Sequence, residues 1–354
     1  MNLSTEEQQQ YSRHLILNAI NDSGQLKLKQ AKVLVIGAGG LGCPILQYLA
    51  AAGVGTLGIA DHDTIDQSNL QRQVLYSHDD LGNLKAEVAA QKLTRLNPFI
   101  TFQVHIKKIT VENAIGLFSK YDIIVDGTDN FPTRYLINDA AILSNKPIVF
   151  GSIFKFEGQI SVFNYKNGPT YRCLYPTPPK PNEVPNCSEI GVLGVLPGII
   201  GSLQANEVLK IILELGRVLS GKILTYNALS SEQLIFNFEK NTTIQIEALQ
   251  DNYESFCGIA SKITEITFED YIKDKLKYNV LDVRTSAERD DYSIESLHIP
   301  LKELDKRLDE IPQNKALLVY CKSGIRSQAA IEILNKHSFS KSLFNLKGGL
   351  PKMD

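Results

Sequence analysis

The sequence predicts an α/β protein: a large first part built on a mainly parallel sheet, and a smaller α/β unit after it. Three observations carry this. The stretch Lys32-Val-Leu-Val-Ile-Gly-Ala-Gly-Gly-Leu-Gly-Cys43 passes from a buried apolar run through closely spaced glycines into the apolar run 43–52, the pattern of strand, tight turn and helix. Short apolar runs ending in acids, Thr56–Asp61 and Tyr121–Asp129, recur between helical segments. After Glu239 the composition turns polar and loses its period before a new strand–loop–helix pattern starts.

A length of 354 residues fits about two domains. The polar stretch Glu239–Ile263, with 246–262 as the linker, divides the chain into 1–245 and 263–354. With 43% apolar and 21% charged residues and a formal charge of −2, the composition is that of an ordinary globular protein. Nothing in it calls for nucleic acid or an anionic membrane as the main partner. The start, Met1–Gln10, is polar and acidic, and the apolar stretch Val192–Leu203 is short and contains Pro197. No secretory signal or membrane span is therefore expected. Five cysteines without an export signal point to reduced thiols and a cytoplasmic location.

Taken in order, Ser4-Thr-Glu-Glu7 has capping-box spacing and starts a helix expected to carry Tyr11 and Arg13. Gly37, Gly39, Gly40 and Gly42 let backbone approach a phosphate at a helix N-terminus. Asp61 follows at the distance at which a dinucleotide fold places a ribose-binding acid. The polar loop Asp61–Gln73 does not suit a nicotinamide; its Arg72 can neutralise phosphate, and Asn69 and Gln73 can donate hydrogen bonds. Lys85 opens the next helix and adds a second positive charge. Asp126 and Asp129, at a strand end, are candidates for holding Mg²⁺ against phosphates, one of them competing with a helix-capping role. Thr170–Pro185 carries five prolines and reads as irregular crossover, leading to a presented Cys187. Strands 221–226 and 233–238 close the first part.

In the last part, Lys315–Tyr320 is a strand that runs into the loop Cys321-Lys-Ser-Gly-Ile-Arg326 and then a helix. Lys322, Arg326 and the helix N-terminus all favour the Cys321 thiolate.

Together these segments resemble a known family. Gly37-x-Gly-Gly-Leu-Gly42, Asp61-x-Asp63, Ser68-Asn-Leu-x-Arg-Gln73, Lys85, Thr128-Asp-Asn130 and Gly191–Gly198 resemble the MoeB/ThiF enzymes, relatives of the ubiquitin-activating enzymes. Residues 263–354 resemble a rhodanese domain. The resemblance implies a Rossmann-like adenylation domain joined to an α/β sulfurtransferase, as in the fusions that serve MoaD/ThiS-type sulfur carriers. It further implies ATP-dependent adenylation of a carrier's C-terminal Gly-Gly carboxylate, in molybdopterin synthesis or, with another carrier, in thiamine synthesis. In that scheme the glycine loop, Asp61, Asp63, Asn69 and Gln73 line the nucleotide, Arg72 and Lys85 stabilise phosphate charge, and Asp129 holds Mg²⁺. Arg13 reaches into a partner subunit's site, which implies a homodimer. Cys321 takes sulfur from a persulfide donor in the loop ending at Arg326, and Cys187 either attacks the resulting acyl disulfide to release the thiocarboxylate or first captures the acyl group as a thioester.

Two departures matter. The family's zinc-binding C-x-x-C pairs read Thr170-Tyr-Arg-Cys173 and Glu254-Ser-Phe-Cys257, so no structural zinc is expected. The rhodanese-like part stops soon after Lys347-Gly-Gly-Leu350, so its last helix is expected to be absent. A loop of Cys-x4-Arg, one residue shorter than that of cysteine phosphatases, suits a sulfur atom better than a phosphate. The competing readings are an NAD-dependent oxidoreductase fused to rhodanese and a non-catalytic scaffold for a ubiquitin-like partner.

Overall fold

β1 (Lys32–Ile36) is the strand around which the first sheet is laid out. Its Val33 and Val35 face one apolar core and its Leu34 and Ile36 the other, as the period-two alternation of a strand covered on both faces requires. In this computed structural model, which describes residues 2–179, 191–258, 263–337, 339 and 341–351, the chain forms two compact units, Met1–Gly258 and Ile259–Asp354.

The first unit's strands β2 (Thr56–Ala60), β3 (Thr101–His105), β4 (Ile123–Asp126) and β5 (Ile148–Phe154) run parallel with β1 in the order β3-β2-β1-β4-β5. β6 (Glu157–Phe163), β7 (Lys222–Asn227) and β8 (Gln233–Asn237) extend the sheet antiparallel. The order reverses at β1, so the gap between β1 and β4 at their carboxyl ends is the place such sheets bind ligands. Ile36 and Asp126 are register partners there.

Helices cover both faces. Gly42–Ala52 and Lys85–Leu96 contribute to one core, and Phe131–Leu143 to the other. Leu196–Leu213 packs on β5 and on helix 42–52. It is, among the described residues, the helix long and apolar enough to cross a bilayer. The stretch read as too short to span is thus its N-terminal part.

Three other expectations change. The Ser4 capping box forms, but its helix ends at Gln10, and Arg13 lies on a separate turn, Ser12–Leu15. The proline-rich crossover contains a helical turn, Tyr171–Leu174, held by Asn138 Oδ1, which accepts from the Tyr171 N–H at 2.9 Å. The expected linker includes the helix Tyr253–Phe256; Tyr253 and Cys257 are buried in the first unit's core, so the first unit runs on to Gly258.

The second unit has a parallel sheet in the order β11-β10-β12-β13-β9. Its strands are β9 (Thr264–Ile266), β10 (Tyr278–Asp282), β11 (Leu297–His298), β12 (Ala316–Tyr320) and β13 (Leu343–Leu346). Helix Ile325–Lys336 follows the loop after β12 and packs on β12 and β13.

Candidate active sites

The turn after β1 is shaped by backbone crowding before any ligand is considered. Gly37 has φ +91°, and a Cβ on it would lie 2.7 Å from the Gly127 carbonyl oxygen on the neighbouring turn after β4. A Cβ on Gly42 would lie 2.0 Å from the Gly37 oxygen, so only glycine lets the helix start this close to the strand. Among the described residues the N–H groups of Gly39, Gly40, Leu41 and Gly42 have no hydrogen-bond partner, whereas those of Cys43 and Ile45 bond the Gly39 and Leu41 carbonyls. The turn into helix 42–52 itself therefore offers the donors for an anion.

The expected nucleotide residues gather around this turn. Asp61 Oδ2 accepts from the Ala38 N–H at 2.7 Å and Oδ1 from the Asp63 N–H at 2.8 Å, so Asp61 also fixes the turn. Asp63 Oδ2 pairs with Lys85 Nζ at 3.1 Å, with the lysine side chain nearly buried and the aspartate half-exposed. Arg72 is half-buried, donates from Nη1 to the Ser68 carbonyl at 3.1 Å, and passes beside Gly40, where an added Cβ would meet its Cγ at 3.6 Å. Gln73 is buried beside Gly39, and its Oε1 has no hydrogen-bond partner. A buried orphan acceptor or a reoriented amide at the turn is what a bound polar ligand would satisfy. Asn69 is tied into the turn before Arg72, its Oδ1 accepting from the Asp66 N–H at 3.2 Å.

The two strand-end acids have separate fates. Asp126 is buried, its Oδ1 accepting from the Thr128 N–H at 2.9 Å and hydroxyl at 2.6 Å, and burial pushes its carboxyl above the usual range. Asp129 is exposed and has no hydrogen bond or ion pair among the described residues. The helix cap at this point is Asn130, whose Oδ1 accepts from the Thr133 N–H at 3.0 Å. Asp129 is therefore the free carboxylate and fits the hard-oxygen chemistry of Mg²⁺. Asp61, His62 and Asp63 bring three ligand atoms within 4.8 Å of one another, but hydrogen bonds to Ala38 and Lys85 already engage the two acids.

Sequence reasoning missed Arg134. Its Nη2 donates to the Thr128 carbonyl at 3.0 Å and its guanidinium lies 5.6 Å from the Phe150 ring centroid, so it braces the loop that carries Asp129. Its place on the helix just after that loop was the available signal. Arg13 is exposed and unpaired among the described residues, and Cys187 lies outside them.

The second unit's site is a thiol cradle. Cys321 follows β12 with no exposed surface. Loop 321–327 closes on the sulfur: the Gly324 N–H lies 3.2 Å and the Ser327 hydroxyl 3.4 Å from Sγ. Burial raises the thiol's pKa, but the Ser327 hydroxyl and the N–H groups of Ser323, Ser327 and Gly324 outweigh it and bring it below the ordinary value. Arg326 is not free. Its two Nη atoms make bidentate 2.7 Å hydrogen bonds to Glu288, whose carboxyl they hold well below the carboxylate range together with Thr285. By contrast, burial in the core pushes Cys43 up to about 12.

At the expected zinc positions, the Cys173 sulfur accepts from the Thr170 and Asn241 N–H groups, both at 3.3 Å. Glu254 pairs with Lys108 at 2.8 Å. Burial pushes the Cys257 thiol up to about 11, away from the thiolate a metal needs.

Comparison with known proteins identifies both parts of the chain. The ThiF family matches residues 11–245 and a rhodanese-like domain matches residues 267–353. The chain is 43% identical over 367 residues to the probable adenylyltransferase/sulfurtransferase MoeZ of Mycobacterium tuberculosis, covering 98% of this chain and 93% of that one. It is 46% identical to the sulfur carrier protein adenylyltransferase of Thermus thermophilus, over 73% of this chain and all of that protein. Escherichia coli MccB with a bound MccA derivative shares the fold at TM-score 0.60 and 23% identity, over 69% of this chain and 75% of that one. The chain therefore belongs to the ThiF family and is an enzyme of the adenylyltransferase and sulfurtransferase type, its second unit a rhodanese-like domain.

Proposed function

We propose that the first unit adenylates the C-terminal Gly-Gly carboxylate of a small ubiquitin-like sulfur carrier of the MoaD/ThiS type, and that Cys321 supplies the sulfur that turns it into a thiocarboxylate. Molybdopterin synthesis is the pathway we assign. The observation that carries the reading is one chain with two chemistries: a phosphate-binding turn with Lys85 and Arg72 beside it, and a thiol whose cradle favours the anion.

A carboxylate is a poor acyl donor because oxide is a poor leaving group. Attack of the carrier carboxylate on the α-phosphorus of ATP makes an O–P bond and releases pyrophosphate. The charge that grows on the phosphate oxygens is met by the N–H groups of the turn 39–42 and by Lys85 and Arg72. Asp129 would hold Mg²⁺, which when bound supplies further neutralisation of phosphate charge. Arg13, exposed and unpaired, would complete the site of a second copy in a homodimer.

Cys321 takes a sulfane sulfur from a persulfide donor, whose own thiolate leaves. The terminal sulfur then attacks the acyl-adenylate carbonyl, AMP leaves, and an acyl disulfide forms. A second thiol, for which we propose Cys187, attacks the Cys321 sulfur; the thiocarboxylate departs and a disulfide remains for a cellular thiol to reduce. The alternative, capture of the acyl group by Cys187 as a thioester, is the other route these two cysteines allow. Five cysteines and the thiol chemistry fit a reducing, cytoplasmic setting.

The deciding experiment incubates candidate Gly-Gly-ended carriers with the enzyme, ATP and thiosulfate and weighs the products by mass spectrometry. One carrier gains the mass difference between sulfur and oxygen. If no such carrier stimulates ATP consumption, the reading falls.

A further inference from the structure

The Ser327 hydroxyl has one proton and three acceptors around it. Asn345 Oδ1 lies at 2.6 Å, the Gly324 carbonyl at 3.0 Å and Cys321 Sγ at 3.4 Å. The shortest contact shows where the proton sits: on the line to Asn345. Ser327 then offers the sulfur a lone pair, which a protonated thiol can use as its own acceptor and a thiolate cannot.

Asn345, fully buried on β13, could present either end of its amide to Ser327. Its partner on the other side settles the choice. Nδ2 donates to Glu265 Oε1 at 3.0 Å across the β13–β9 register, and a carboxylate accepts only. Glu265 is held in turn by Gln328 Nε2 at 3.1 Å. The Asn345 carbonyl oxygen therefore faces Ser327 and competes with the sulfur for its proton.

We propose that Asn345 and Glu265 are positioning residues that hold the Ser327 proton off Cys321 while the sulfur is protonated, so that ionisation requires the hydroxyl to swing onto the sulfur and part of the stabilisation the cradle gives the anion is offset. Loss of the thiol proton to solvent then removes Ser327's incoming bond, and its own proton turns from Asn345 to the thiolate. The inference deepens the reading of Cys321 as the sulfur acceptor and rests on it for its meaning. The other charges around the cradle are accounted for. Arg326 pairs with Glu288 and Arg284 with Asp282. His298 on β11 bonds the Arg284 carbonyl, while Lys322 and Lys347 are exposed.

The test is a pH titration of the full-length chain, followed by thiolate absorbance in the ultraviolet, with the spectrum of the matching Cys321→Ala protein subtracted. It needs no carrier, ATP or sulfur donor, so a failure of the adenylation reading leaves it intact. Glu265→Ala, on an exposed residue, frees Asn345 to turn its NH₂ toward Ser327. The thiolate fraction at a pH below the midpoint is expected to rise roughly three- to tenfold, the effect of about one hydrogen bond gained by the anion. Asn345→Leu is expected to act in the same direction. Glu265→Gln keeps an acceptor for Asn345 and is expected to titrate as the parent does, which separates orientation from loss of charge. With Ser327→Ala in place, Glu265→Ala is expected to change nothing. An unchanged titration in Glu265→Ala, a shift in Glu265→Gln equal to it, or a shift that survives Ser327→Ala overturns the proposal.

Discussion

Lys85 Nζ rests 3.1 Å from Asp63 Oδ2, so the lysine that opens helix 85–96 is already neutralised. To meet a phosphate it must leave a carboxylate, and binding is opposed by the pair that breaks. Lys85→Met is expected to lower ATP–pyrophosphate exchange about 100-fold or more, as loss of a donor to developing charge does. Asp63→Asn is expected to lower the ATP concentration at half-saturation several-fold. A rise instead would make Asp63 a ligand of the nucleotide itself.

The two units divide the chemistry, so their variants should separate cleanly. Asp129→Ala is expected to abolish carrier-dependent pyrophosphate exchange while Cys321 still takes sulfur from thiosulfate. Cys321→Ala is expected to do the reverse. Loss of both activities in either variant contradicts the division.

The Glu288–Arg326 pair sets a pH window. Glu288's carboxyl is held down in the folded chain, chiefly by Arg326 and then by the Thr285 N–H. A depressed carboxyl adds stability that is fully present above its unfolded value, about 4.3, and is lost as pH falls through the folded one. Chemical denaturation of the parent and of Glu288→Gln should therefore differ near neutrality and converge in strong acid. An equal difference at every pH would remove the ion pair as its cause.

Arg172, in the turn that carries Cys173, makes a buried ion pair. Its guanidinium makes two 2.7 Å hydrogen bonds to the buried Asp139 and stacks 4.6 Å from the Phe256 ring centroid, while the Tyr253 hydroxyl donates to the same carboxylate at 2.6 Å. Arg172→Met alone is expected to destabilise the first unit by about 3–5 kcal/mol, because Asp139 is left charged and buried. Urea unfolding measures it. Elemental analysis of the purified chain is expected to find well under one zinc per molecule.

What the sequence disclosed follows from the range of each interaction. The glycine turn, the acids at strand ends and the cysteine loop are contiguous patterns, and period and turn chemistry suffice to read them. The pairings that tune the sites are not contiguous. Asp63 meets Lys85 across 22 residues, Glu288 meets Arg326 across 38, and Asn345 meets Ser327 across 18. Each depends on which strands become neighbours, which no local pattern states. The same holds for Tyr253 and Cys257, whose polar surroundings in the chain hide their burial. The loop that follows Cys321 is legible as a contiguous pattern, but its closure over the sulfur is a tertiary event.

The four glycines after β1 do not carry equal information. At Gly37 and Gly42 a methyl group would strike backbone oxygens of the chain itself, whereas at Gly39 and Gly40 it would meet only side chains, those of Gln73, Pro197 and Arg72. An alanine at either outer position would therefore break the scaffold whether or not the protein ever met a nucleotide. Of the inner two, Gly40 is already crowded by Pro197 at 3.1 Å, so it is Gly39, where a Cβ would meet nothing nearer than Gln73 at 3.5 Å, that can testify to what is bound.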